Sequence, residues 1–329
     1  MGKDKERLAY LDAIRGLLIL WMLLVHSSLT SGYHTYGAPY SVKSPFLWMG
    51  FFMVPFYFFS GYMFSPKGTF VEYAKRKVSA LLWPYFLFSV FGLIIYELYS
   101  VASQGALSFS VLRAFVHTAC ISSNTPCWFF ISLLCVVLIF RALYEVLSPY
   151  VNNSVLVIGI AILGLLSAVL TCNRTQYLGC GNVALGLFYY CCGSLLRPRA
   201  DLLNKWWACA VAALFCVVIG VANHPQLSFV LNRLVQGNYF LCVVYSLCAT
   251  FILWYVAQRM PRIKALEYVG LNSLVVFASH RPILNWVIHP VTSRFVTGEG
   301  EMAVDFCLLL VFSAIMVVFV NCRARFFAR

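Results

Sequence analysis

The sequence predicts an all-α protein that crosses a membrane about ten times and keeps both termini in the cytoplasm. Three observations lead there. Of 329 residues, 62% are hydrophobic and only 11% are charged, whereas a soluble domain averages about 25% charged. The apolar stretches are long and nearly free of charge, which reads as helices rather than barrel strands. The cations gather in alternate connections, which fixes an orientation. A formal net charge of +13 would suit nucleic acid, but cations in short clusters between apolar runs set topology instead. No nucleic-acid partner is expected.

Taken in order, the spans are expected roughly at 8–29, 45–64, 78–98, 128–147, 154–172, 178–196, 206–222, 238–258, 266–285 and 303–321. The first run carries Asp12 and Arg15 and no small-residue cleavage site follows, so it reads as a retained helix rather than a signal peptide. The gap from Tyr99 to Cys127 has room for a surface or re-entrant helix. One set of connections holds Lys3, Lys5, Arg7, Lys67, Lys75, Arg76, Lys77, Arg197, Arg199, Lys205, Arg259, Arg262, Lys264, Arg323, Arg325 and Arg329. The alternate set holds Lys43, Arg113, Arg174, Arg233 and Arg294. Arg15, Arg141 and Arg281 fall inside spans. The richer side is cytoplasmic by the positive-inside rule. The chain shows no internal repeat and reads as a single domain over 1–329.

Thirteen cysteines form no obvious framework. Cys135, Cys191, Cys192 and Cys307 lie in apolar runs and read as core filler. Cys172 and Cys180 would share a short outward loop, where an oxidising compartment would let them bridge. No metal-ligand spacing is evident, so no metal is expected.

The chemistry centres on the first helix. Arg15 and His26 are eleven residues apart, which is three turns plus about 20°, so both lie on one face about 16 Å apart along the axis. Asp12 precedes Arg15 by one turn and can pair with it. A lone His near a helix end usually snorkels or bonds a carbonyl. An in-phase Arg so deep in the helix needs a partner or an anionic ligand, and this favours a functional face. His26 can take and return a proton near neutral pH, and the Arg15 guanidinium matches phosphate. Ser60 and Gly61, within Pro55 to Tyr62, read first as a small-residue packing notch, since no base adjoins Ser60 in sequence. Lys75, Arg76 and Lys77 are either ordinary cytoplasmic anchors or a mouth for a polyphosphate. Trp128 is an interfacial aromatic or a platform for a sugar. Glu97, His280, Arg281 and Asp305 are expected near the outer ends of their spans.

These segments together resemble acyltransferase family 3. Leu11-Asp12-Ala13-Ile14-Arg15-Gly16 with His26 is similar to the family's first helix, where an Arg is followed by ten residues and a His. Phe58-Phe59-Ser60-Gly61-Tyr62 resembles its aromatic-Ser-Gly-aromatic motif. Arg76-Lys77 before Pro84-Tyr85, Trp128-Phe129-Phe130, and Asn272-Ser273-Leu274 through His280 resemble later motifs, in the same order. Ser79 and Ala80 stand where family members often carry further cations.

The resemblance implies a membrane O-acyltransferase of the cell envelope, in the inner membrane of a bacterium. It would move an acyl group, usually acetyl from acetyl-CoA, onto a hydroxyl of a glycan, with acyl-CoA as co-substrate and no bound cofactor. The implied catalytic group is His26 with Arg15 and Asp12. Ser60, Tyr62, Trp128, His280 and Arg281 would bind substrate, and Arg15, Arg76 and Lys77 would bind the donor. A polar cavity is expected along the Arg15–His26 face, closed by the second and ninth spans. The first rival is a transporter, which would more often show internal repeats and matched broken helices. The second is a structural protein in which Asp12 and Arg15 only pack.

Overall fold

A computed structural model describes residues 2–31, 52–108, 127–173, 180–223, 226–228 and 233–327. The helices are α1 (Gly2–Thr30), α2 (Val54–Tyr62), α3 (Phe70–Gln104), α4 (Trp128–Leu147), α5 (Asn153–Leu170), α6 (Cys180–Leu196), α7 (Trp206–Asn223), α8 (Tyr239–Ala257), α9 (Lys264–Leu271), α10 (Ser273–Ile283), α11 (His289–Thr292) and α12 (Glu299–Phe327). Short 3-10 turns cover Arg197–Arg199 and Leu202–Asn204, and a π turn covers Leu284–Ile288. The architecture is helical as expected. A short antiparallel pair, β1 (Gln226–Ser228) and β2 (Arg233–Gln236), lies in the connection from α7 to α8.

Six helical segments among the described residues are long and apolar enough to cross a membrane: Ala9–Thr30, Phe70–Gln104, Trp128–Leu147, Asn153–Leu170, Tyr239–Ala257 and Glu299–Cys322. The other expected spans are shorter helices: α2, α6, α7 and the pair α9–α10. Large apolar side chains remain exposed along the long helices, including Trp83, Leu163 and Phe319, and on α7 at Leu214. A water-facing surface rarely carries so much contiguous apolar area, so these faces suit lipid.

Local chemistry explains several ends. Thr69 and Glu72 form a capping box at the start of α3, and Asn152 and Asn238 cap α5 and α8 through their side-chain oxygens. The expected ninth span is broken between α9 and α10 at Asn272. The Asn272 side chain donates to Tyr268 O at 2.9 Å, and Asn321 of α12 donates to Asn272 Oδ1 at 3.0 Å. A side-chain amide that competes for the helix's own carbonyls favours such a break, and α12 then holds it in place. Downstream, Pro282 lies inside α10. It lacks the N–H needed for a regular turn, and the π turn follows directly.

Packing is closest where glycines face backbone. A Cβ on Gly61 would lie 1.8 Å from the Tyr190 carbonyl oxygen, and one on Gly193 would lie 1.9 Å from that of Phe58. So α2 and α6 touch backbone to backbone, with Tyr57, Phe58, Phe59 and Tyr190 buried around the crossing. Gly16 and Gly270 bring α1 and α9 together in the same way, with clearances of 2.1 Å to Leu266 O and 1.7 Å to Asp12 O. Without a hydrophobic drive inside lipid, such small-residue contacts are how membrane helices gain packing energy.

Candidate active site

Two polar clusters flank the buried length of α1. The first lies where α1 crosses α9. There Arg15 Nη1 donates to Asp12 Oδ1 at 3.0 Å, and Nη2 reaches Met63 Sδ at 3.9 Å. An ion pair of this spacing contributes only about 0.5 kcal/mol, far less than sealing a guanidinium in hydrocarbon would cost. The Arg15 side chain keeps 27% exposure, so it can meet an anion.

Further cations converge on the turn that follows α2. Arg141 is buried in α4 and donates to Pro66 O at 3.2 Å and Gly68 O at 2.7 Å, while pairing with Glu145 at 2.8 Å. Arg197 donates to Phe64 O. Arg76 and Lys77 lie 5.7 and 5.5 Å from the centre of the Tyr73 ring. Lys77 is close enough to Arg15 and Arg76 to feel both charges. Arg15, Arg76 and Lys77 therefore share one electropositive corner. Arg141 is a member that the sequence reading left without a role. Its signal was a cation in mid-helix with Glu145 one turn on.

The second cluster lies eleven residues along α1. The imidazoles of His26 and His280 stack with centres 5.0 Å apart and planes inclined by 28°. His280 is buried, whereas His26 is half-buried with its Nδ1 shielded from solvent. His280 Nδ1 lies 2.5 Å from Phe277 O; this assigns the proton to Nδ1 and leaves a lone pair on Nε2. His26 Nδ1 and His280 Nε2 have no hydrogen-bond partner among the described residues. Phe52 stands edge-on to His26, and Phe277 contacts both His280 and Phe129. Arg281 is near enough to act electrostatically on both imidazoles.

The other expected site residues divide. Ser60 Oγ donates to Phe56 O at 2.7 Å, so its hydroxyl is tied to its own helix beside the Gly61 notch. Trp128 is buried at the start of α4, against Phe129. Tyr62 packs on Trp254 at 4.7 Å. Both Tyr62 and Trp254 line a cavity of about 630 Å³ with Tyr10, Arg197, Asn204 and Glu267, a volume that suits a ligand-sized group. On α1 this cavity meets Tyr10, Ala13, Ile14 and Leu17, which lie on the side turned away from Arg15 and His26 at 100° per residue. Along the Arg15–His26 face itself, Ile19 and Met22 are buried apolar residues with 1% exposure. They fill the strip where a polar cavity was expected. Cys172 is a free cysteine, and the side chain of its expected partner Cys180 lies outside the described residues.

The clusters sit on segments spread from α1 to α10. A family model described as an acyltransferase domain, the third acyltransferase family, matches residues 8–322. The chain belongs to this acyltransferase family. With its apolar helices, it is a membrane acyltransferase. No curated protein matches the chain. The match covers both the Arg15 corner and the His26–His280 stack.

Proposed function

We propose that this acyltransferase moves an acyl group, acetyl in the simplest case, from acyl-CoA onto a hydroxyl of a cell-envelope glycan. It would work from the inner membrane of a bacterium, as one domain with ten crossings and both termini in the cytoplasm. The observation that carries the reading is the His26–His280 stack, with an unpartnered nitrogen on each ring, three turns along α1 from the part-exposed guanidinium of Arg15. A base and an anion-binding group on one rigid helix suit a donor and an acceptor that approach from opposite ends.

In this mechanism the donor phosphates meet Arg15, Arg76 and Lys77, with Asp12 orienting Arg15. Tyr62 lines the separate cavity on the far side of α1. The thioester arm runs along α1 toward His26, displacing Met22, whose flexible side chain can repack. His26 accepts the proton of the acceptor hydroxyl as its oxygen attacks the thioester carbonyl. The tetrahedral intermediate then breaks its carbon–sulfur bond. The CoA thiolate leaves, takes the proton back from His26, and the ester is formed. His280 and Arg281 line the acceptor side, and Trp128 and Ser60 shape the surrounding aromatic wall.

Two measurements test this reading. Purified protein should release free CoA from acetyl-CoA only when a hydroxyl acceptor is present. A strain lacking the gene should lose one ester from its envelope glycan. Ligand uptake into vesicles without CoA release would instead identify a transporter.

A further inference from the structure

Beyond the stack, α10 runs through the π turn into α11, and α12 begins opposite. There His289 Nδ1 lies 2.9 Å from Glu301 Oε1 and 3.6 Å from Asp305 Oδ2. The three ligand-type atoms all fall within 4.8 Å of one another. Glu301 and Asp305 are 5% and 0% exposed. Yet among the described residues none of these three atoms meets the geometry of a hydrogen bond, although Asp305 feels the nearby His289 imidazole. They are close without being aimed at each other.

We propose that His289, Glu301 and Asp305 hold a divalent transition-metal ion of the zinc or manganese type. Nitrogen and carboxylate ligands bind such ions at about 2.0–2.2 Å, which places neighbouring ligand atoms about 3.0–3.5 Å apart around a shared centre. The two measured separations bracket that range. Lone pairs directed at a common point between the residues, rather than along the line joining them, explain short contacts that are not hydrogen bonds. Charge agrees: two buried carboxylates beside one half-exposed imidazole lack a full counter-charge, and a dication supplies it. Thr292 Oγ1 donates to Asp305 Oδ1 at 2.5 Å. This holds the carboxylate so that Oδ2 is the oxygen turned to the centre, the kind of outer support that metal ligands need. One imidazole with two carboxylates suits zinc, manganese or cobalt better than magnesium or a soft monovalent ion. His289 keeps 31% side-chain exposure, so ions can enter.

The site joins the segment directly after His280 to the first turns of α12. Its role is structural: it fixes the π turn and, through it, the end of α10. The rival is a proton shared among the three groups with no ion. Full-length protein in detergent, stripped with a chelator, is titrated with Zn²⁺ and separately with Mn²⁺. Bound metal is counted after gel filtration, and the melting temperature is followed. The expected result is one ion per chain, a melting temperature raised by the ion and lowered again by chelator, and affinity weakened at least about tenfold in Glu301→Gln and Asp305→Asn. A wild-type protein that retains neither ion overturns the proposal, as does equal retention in the variants. The chelator effect on wild type needs no variant: a melting temperature unmoved by stripping and re-addition favours the shared proton and overturns the metal.

Discussion

Two side chains decide whether the site works as proposed. Replacing His26 with Ala should lower ester formation by about 10²–10⁴-fold, the usual worth of a positioned base, with membrane abundance unchanged. Glycan ester content at matched protein level reads this out, and near-normal content would remove His26 from the mechanism. Arg15→Lys keeps the charge and loses the planar fork. It should raise the KM for acetyl-CoA much more than it lowers kcat. If Arg15→Lys is normal while Arg15→Ala fails to accumulate, the residue serves only as the partner of Asp12. Both residues were legible in the sequence, because eleven positions on a helix fix a shared face. That His280 would lie near His26 was legible from the placing of both near the outer ends of their spans; their stacked contact was not. Nothing in a linear spacing brings residue 26 against residue 280; the break at Asn272 and the turn of α10 do that.

At the scale of elements, the contacts between helices depend on absent side chains. Gly270→Leu would push a side chain into the Asp12 carbonyl, so it should lower the melting temperature in detergent by several degrees or block accumulation. Gly159→Ala, in α5, meets nothing within 4 Å, so it should be neutral or stabilise by about 0.5–1 kcal/mol through helix propensity. Equal effects of the two would refute the backbone contact between α1 and α9. Met22→Trp tests the strip between Arg15 and His26: it should stop transfer while CoA still binds with near-normal affinity. The long apolar segments were legible from hydropathy alone. The division of the late apolar run into α9 and α10 was not, because hydropathy does not register one polar Asn that competes with the helix's own hydrogen bonds. The paired glycines were visible singly, but which helix each one faces is set by tertiary packing.

For the molecule as a whole, the proposed sidedness gives a direct test. In sealed inside-out vesicles, added acetyl-CoA should support CoA release, because the cationic corner then faces the medium. In right-side-out vesicles, it should not, since the donor phosphates cannot cross about 30 Å of hydrocarbon. Equal rates in both would overturn the two-ended arrangement. The overall class was legible in composition, because so few charges and so many apolar residues leave few alternatives. The cavity beside Tyr62 and Trp254 was not, since its walls come from α1, α2, α8, α9 and the turns near Arg197, and no local pattern marks a shared void. The glycine seam between α1 and α9 runs beside that cavity, and it leaves no gap wide enough for an acyl chain to slip through. On that side the two helices close the chamber between them. A compound dissolved in the bilayer should therefore gain no entry between these two helices, and Gly16→Ala or Gly270→Ala should open the seam only by forcing the helices apart.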